Sequence, residues 1–230
     1  MPTRRSPDTP SPDSSPIVAI GLMSGTSADG VDAALVRTDG ESDIEMLGGL
    51  TAPYDADLRA RLLEASQHDV PISDLLRLEK DMTAAHADAV AEAFDRHPDV
   101  KADAAVIGFH GHTVRHIPDD GLTHQIGNPW QLAQATGIPV VADFRRNDIA
   151  AGGQGAPLAS MFHRALLAGD EAPVAVLNLG GVANVTWLGE GGALIAGDTG
   201  PGCGLLDEWA QEMADLPHDV DGKLALAGTV

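Results

Sequence analysis

The sequence predicts a mixed α/β protein made of two related halves, and three observations carry that reading. Apolar, β-branched runs end repeatedly in glycine-rich loops. The middle of the chain alternates strand, helix and strand, which implies a parallel crossover and hence a mixed sheet flanked by helices. After Pro173 the opening pattern of strand, glycine-containing turn, strand, short turn and strand starts again.

Element by element, "IVAIGLM" from Ile17 reads as a buried strand, "VDAALVRT" as a second and "DIEMLGGLTAPY" as a third. Short turns between them make an antiparallel meander, with the loop "MSGTSADG" at its first hairpin. "DADLRARLLEASQ" and "ISDLLRLEKDMTAAHADAVAEAFDRH" are amphipathic helices expected to cover one face of the sheet. "AAVIGFHG" is a fourth strand running into a polar turn, and "NPWQLAQATG" a short helix capped by Asn128 with Pro129 in its first turn. "IPVVADF" returns to the sheet as a fifth strand, and "LASMFHRALLAGD" is again helical. Then "VAVLNLGG", "ANVTWLG" and "ALIAGD" give three more strands before the helix "LLDEWAQEMA".

This organisation divides the chain into a disordered tail over residues 1–16, a first lobe over 17–171 and the beginning of a second over 172–230. The second lobe reads as incomplete, with fewer strands and helices than the first, so a truncated chain is expected. The opening "MPTRRSPDTPSPDSSP" has no apolar core for a leader and too many aspartates for a transit peptide.

Composition narrows the function classes. With 230 residues and 43% hydrophobic content the chain can bury a sizeable core. Its 14 basic and 34 acidic residues give a net charge of −20, which repels nucleic acid and anionic lipid, so neither partner is expected. Only three lysines, Lys80, Lys101 and Lys223, are present, a bias consistent with high-salt adaptation or simply with a well-solvated surface. One cysteine, Cys203, excludes a disulfide framework and a cysteine-rich zinc site, and a reducing cytoplasm is the simplest home.

Four loops carry candidate chemistry. The first supplies backbone N–H groups at Gly25 and Gly30, hydroxyls at Ser24, Thr26 and Ser27, and the carboxylate of Asp29. Such donors surround phosphate oxygens, and the aspartate suits an accompanying Mg²⁺. No lysine follows, so this is not a Walker loop. In the second, His110, His112 and His116 crowd a strand end, but Val114 and Arg115 stand where a binuclear hydrolase needs Asp and His. If the strand continued, His110 and His112 would share a side and leave a zinc pair open. The third, "DFRRNDIAAGGQGAP", offers Arg145 and Arg146 either as an oxyanion clamp or as partners of Asp143 and Asp148. The fourth, "GDTGPGCG", places Asp198 at a strand edge for general-base work or as a turn cap.

Taken together, "GLMSGTSADGVDAALV", "GFHGHTVRHIP", "QIGNP", "ADFRRNDIAAGGQGAPL", "LNLGGVANVT" and "GDTGPGCGLLDEW" closely resemble, in order and spacing, the anhydro-N-acetylmuramic acid kinases of bacterial cell-wall recycling. The resemblance runs from Ile17 to about Val230. It implies the two-lobed, actin-like ATPase fold built on ribonuclease H-like sheets, with ATP and sugar meeting between the lobes. It also implies a cytoplasmic homodimer that uses ATP and Mg²⁺ to open a 1,6-anhydro sugar and phosphorylate it.

Carried over residue by residue, the resemblance makes Gly25, Thr26, Ser27, Ala28, Asp29, Gly30, Val31 and Asp32 the first nucleotide-phosphate loop. Gly180, Gly181 and Asn184 belong to a second one on the other lobe, with Asp29 on the metal. Asp198 becomes the catalytic base and Arg145 the group stabilising substrate or transferring phosphate, while His110, Gln125, Asn128 and Asp143 contact the sugar. This chain departs from the family at His112, where Gln is usual, at Arg115, where Trp is usual, and at Cys203, where an amide is expected. Two rivals stand beside this reading: an inactive fragment of such a kinase, and a metal hydrolase using His110, His112 and His116.

Overall fold

A computed structural model describes residues 15–229; the expected tail, residues 1–16, lies outside the described residues as far as Ser14. Strands β1 (Ile17–Ser24), β2 (Gly30–Thr38) and β3 (Ile44–Pro53) form the antiparallel meander. Helices α1 (Ala56–Gln67), α2 (Ile72–Arg96) and the one-turn α3 (Pro98–Lys101) follow. Then come β4 (Ala104–Ile117), β5 (Leu122–Ile126), α4 (Pro129–Thr136) and β6 (Val140–Ala142). The sheet order is β3-β2-β1-β4-β5, with β6 also on β4; β4 runs parallel to β1, and β6 parallel to β4. An antiparallel meander extended by parallel crossovers is the ribonuclease H-like arrangement, so the fold class is the expected one.

Helices α1 and α2 cover one face because their apolar residues recur at helical spacing. Leu78, Met82, His86, Ala89, Val90, Ala93 and Phe94 of α2 are buried, as are Leu58, Leu62 and Ala65 of α1. Asp55 starts α1 by accepting from the Leu58 backbone N–H at 2.8 Å, and Asn128 starts α4 by accepting from that of Gln131 at 2.9 Å. Ile20, Leu22, Leu35, Ile107 and Phe109 of the sheet complete the core. That core draws only on residues 18 to 138.

Strand β4 corrects the sequence reading in two ways. It does not end at a polar turn; "HGHTVRHI" stays in the sheet and pairs antiparallel with β5, a strand the sequence reading missed. It also contains a bulge. Leu22 pairs with Phe109 while Ser24 pairs with His112, so β4 carries one residue more than β1 over the same span. Gly111 accommodates it at φ +73°, where a Cβ would lie 2.2 Å from the Ile126 carbonyl oxygen.

Past α5 (Arg146–Ala150) and α6 (Ala159–Leu166), strands β7 (Val174–Leu179), β8 (Val182–Leu188) and β9 (Leu194–Pro201) form a separate antiparallel sheet, followed by α7 (Gly204–Ala214) and the short α8 (Lys223–Ala227). Its side chains are far less covered than those of the first sheet. Leu177, Leu179, Val182 and Ile195 are exposed, as are Leu205, Leu206, Trp209 and Met213 of α7. None of the described helices is long and apolar enough to cross a membrane.

Candidate active site

The β1–β2 turn carries the residues expected to form the first phosphate loop. The Ala28 N–H donates to the Gly25 carbonyl at 3.0 Å, and Ala28 itself is buried at φ +51°. This leaves the backbone N–H groups of Thr26 and Ser27 without acceptors among the described residues, while both residues stay exposed. Arg59 of α1 braces the turn from behind, its Nη2 lying 3.3 Å from the Ser27 carbonyl oxygen and 3.4 Å from Asp29 Oδ1. Asp29 remains largely exposed. Gly30 is needed because β3 presses on it: a Cβ there would lie 2.3 Å from the Ala52 carbonyl oxygen.

Not every residue of that motif faces outward. Val31 is wholly buried in the core, so like Ala28 it offers only backbone. Asp32 lies within β2 opposite Met23, and its Oδ1 accepts from Thr51 Oγ1 at 2.6 Å.

The β7–β9 sheet carries the second glycine turn. The Gly180 carbonyl accepts from the Cys203 N–H at 2.7 Å, and the Gly181 carbonyl from those of Gly202 and Gly204 at 3.0 and 3.3 Å. With their carbonyls drawn towards the last loop, Gly180 and Gly181 stay exposed at the tip. Gly202 must be glycine, since a Cβ would meet the Gly180 carbonyl oxygen at 2.1 Å. Asn184 sits directly across the ladder from Asp198. Asp198 is exposed, and its carboxylate takes no hydrogen bond or ion pair from any described residue. The Cys203 side chain reaches only the Leu179 carbonyl oxygen, at 3.8 Å, so its place in the loop rests on its backbone.

Arg145 follows β6 and is held close to the β4–β5 hairpin by its bond to His110. The two arginines of "DFRRND" part ways. Arg146 pairs with Asp143 (3.4 Å) and donates to His124 Nδ1 (3.1 Å). Asp148 is used by the Gly155 N–H at 2.7 Å. Arg145, half-buried, takes no carboxylate among the described residues: its Nε donates to His110 Nε2 at 3.0 Å and its Nη1 to the Gly155 carbonyl at 2.6 Å. Burial without a counter-charge pulls its pKa below the ordinary arginine value.

The bulge at Gly111 places the histidines on opposite faces, against the expectation that His110 and His112 share a side. His110 faces Arg145, whereas His112 is fully buried between Ser24 Oγ (2.9 Å) and Ser66 Oγ (3.0 Å of α1). His116 is half-exposed, its Nδ1 lying 3.0 Å from Thr123 Oγ1. Burial and the Arg145 charge hold the His116 imidazole below its ordinary pKa, against the pull of the Asp198 carboxylate. No group of three or more His, Cys, Asp or Glu side chains suited to a metal occurs among the described residues, so the three histidines do not assemble the centre a hydrolase needs.

Gln125 joins the same polar wall, its Nε2 donating to Thr123 Oγ1 (2.9 Å) and Thr113 Oγ1 (3.3 Å). His110 has both ring nitrogens engaged, since Nδ1 donates to the Gly111 carbonyl at 2.9 Å, so no nitrogen is free for a sugar hydroxyl. Asp143 is committed to Arg146, and Asn128 keeps only its amide nitrogen free beside its capping oxygen. Thr113 and Thr123, partners in this network, were not singled out from the sequence, and His116 was weighed there only as a metal ligand. The short segment "LTHQI", set between the turn at Asp120–Gly121 and Gly127, shows no polar–apolar alternation, so its pairing with β4 is visible only in the structure.

The profile of the family "Anhydro-N-acetylmuramic acid kinase" matches residues 17–230. The chain belongs to that family. Curated anhydro-N-acetylmuramic acid kinases are similar along almost all of it: the Paramagnetospirillum magneticum protein is 50% identical over 93% of this chain and 59% of its own length. That of Rhizorhabdus wittichii is 48% identical over 93% and 60%. This anhydro-N-acetylmuramic acid kinase family chain thus spans about 60% of the length of the curated relatives it matches. Among solved structures, a reductive activator for corrinoid,iron-sulfur protein aligns at 15% identity and a TM-score of 0.41 over 81% of this chain and 31% of its own. The Aquifex aeolicus PPX-GPPA enzyme aligns at 11% and 0.41 over 85% and 56%. Both likenesses are too low to bear on function.

Proposed function

We propose that the chain carries the sugar- and phosphate-handling part of an ATP-dependent anhydro-N-acetylmuramic acid kinase, with residues 17–171 and 172–230 as facing lobes. The observation that supports this reading is a pair of unpaired charges among the described residues: Arg145, a half-buried cation with no carboxylate, and Asp198, a carboxylate with no cation. Their charges both reach His116. An unpaired cation of this kind suits an oxyanion, and an unpaired carboxylate suits a proton.

In the proposed reaction Asp198 takes a proton from water, whose oxygen attacks the anomeric carbon of 1,6-anhydro-N-acetylmuramic acid. The bond from that carbon to O6 breaks, and O6 attacks the γ-phosphorus of ATP while the bond to the β–γ bridging oxygen breaks. The products are N-acetylmuramic acid 6-phosphate and ADP. The turns at Gly25–Gly30 and Gly180–Gly181 hold the phosphates through backbone N–H groups, with the hydroxyls of Thr26 and Ser27 and the amide of Asn184 beside them. Gln125, Asn128 and His116 line the sugar side.

Mg²⁺ fits this donor set, because it is held by one or two carboxylates and otherwise by phosphate oxygens and water, and exposed Asp29 supplies such a carboxylate. Bound there, it would neutralise phosphate charge. The family reading also carries a cytoplasmic setting, a homodimer and no nucleic-acid or membrane partner.

The test is to incubate protein, ATP, Mg²⁺ and the anhydro sugar and to detect the sugar phosphate. Asp198→Asn should lower turnover by about 100-fold or more. An unchanged rate in that variant would overturn the assignment.

A second reading, a chain that binds sugar or self-associates without transferring phosphate, is favoured by the apolar side chains exposed on the β7–β9 sheet and α7. Micromolar ATP affinity measured by calorimetry on residues 1–230 would count against it.

A further inference from the structure

We propose that His110 is a positioning residue for Arg145, acting as the neutral tautomer protonated on Nδ1. The proposal rests on the reading of Arg145 as an oxyanion holder. The donor directions fix the tautomer: an arginine Nε can only donate, so His110 Nε2 at 3.0 Å must accept, and the Gly111 carbonyl at 2.9 Å must receive the Nδ1 proton. One ring thereby ties a guanidinium to the bulge of β4.

The second anchor is built just as specifically. The Gly155 carbonyl takes Arg145 Nη1 at 2.6 Å. The N–H of the same residue is held by Asp148 Oδ2 at 2.7 Å, and Gly155 is buried at φ +65° with Ile149 packed against it. Two of the five guanidinium N–H groups are therefore spent inside the protein, and three remain on Nη1 and Nη2. Nη2 keeps both of its protons, so the outer part of the group can still donate to a phosphate or carboxylate.

An arginine fixed at both Nε and Nη1 loses little freedom when an oxyanion arrives. A histidine is suited to this post because it accepts without adding charge. A carboxylate at position 110 would hold Arg145 as firmly but would neutralise it and compete with the incoming anion. His110 thus orients the cation and leaves its charge available.

Two measurements on the 230-residue chain test this. In ¹⁵N NMR, His110 should show a protonated Nδ1 and an unprotonated Nε2, and the Arg145 Nε–H should resolve as a hydrogen-bonded signal. Titration with inorganic phosphate in one arm and lactate in the other then distinguishes a phosphoryl from a carboxylate ligand through the Arg145 signals. His110→Ala should weaken the preferred anion about tenfold, the cost of freeing a charged hydrogen-bond donor. His110→Gln, whose amide oxygen can still accept from Nε, should restore binding to near the starting affinity, with equal melting temperatures in both variants.

A protonated Nε2, or full affinity in His110→Ala, overturns the positioning role while the oxyanion role of Arg145 stands. If the expected tautomer is seen but neither anion perturbs Arg145, the oxyanion reading falls and the positioning role falls with it.

Discussion

His112 touches Ser24 through Nδ1 at 2.9 Å, and its other ring nitrogen reaches Ser66 at 3.0 Å. Ser66 spends its one proton on the Leu62 carbonyl at 2.9 Å, so it accepts from His112 Nε2, and Ser24 donates to Nδ1. A single neutral ring therefore fastens the end of β1, where the proposed phosphate loop begins, to helix α1. The sequence resemblance leads one to expect Gln at this position, and an amide can bridge two hydroxyls in the same way.

The first prediction follows from the charge state of that ring. Burial lowers His112 from 6.5 to about 4, and it lowers His86 to about 4 as well. In the unfolded chain both titrate near 6.5, so above that pH neither affects stability. As pH falls below it, the unfolded state takes up protons first, and stability is lost progressively down to about pH 4. Denaturant melts at pH 7 and pH 5 should show this loss, and His112→Gln should reduce it. An unchanged difference between the two pH values in that variant would place the acid sensitivity elsewhere.

Gly111 should tolerate no side chain. Both its left-handed backbone and the nearby Ile126 carbonyl oppose a Cβ, so Gly111→Ala is expected to cost about 2–4 kcal/mol. Gly121→Ala makes the comparison, because φ there is also positive but nothing lies within 4 Å of the added atom. Equal melting temperatures for the two variants would refute the steric account.

Arg115, where the sequence resemblance leads one to expect Trp, has a structural role. Its Nη1 donates to the carbonyls of Ala65 (3.0 Å) and Ser66 (2.9 Å), the last turn of α1, which has no basic residue of its own. Arg115→Ala should destabilise the fold by about 1–2 kcal/mol. Asp69→Ala should change little, because that partner is fully solvated. Thermal unfolding of both variants checks the pair; the opposite order would move the role from the helix end to the ion pair.

The meander, the two long helices and the Asn128 cap were legible because each rests on local pattern: strand alternation, helical spacing, and a capping side chain before proline. The bulge was not. Inserting one residue changes which face every later side chain takes, and only the neighbouring strands, β1 with Ser24 and β5 with Ile126, fix where that happens. For the same reason the sequence could not separate His110 from His112. It also left Arg145 and Arg146 equivalent, and their difference arises from long-range partners: Gly155 and His110 for one, His124 with Asp143 for the other. The glycine turns were visible as motifs, but not which of their residues would be swallowed by the core, as Ala28 and Val31 are.

The extra residue in β4 lets neighbouring positions answer to different demands. His112 is read by the interior, and His110 by the open space beside Arg145. Substitutions at the two sites should therefore sort into separate phenotypes, one seen in yield and solubility, the other in ligand handling. Deleting a residue from β4 outside the bulge would instead turn every later side chain to the opposite face of the sheet, so within this segment natural variation should favour replacement over changes of length.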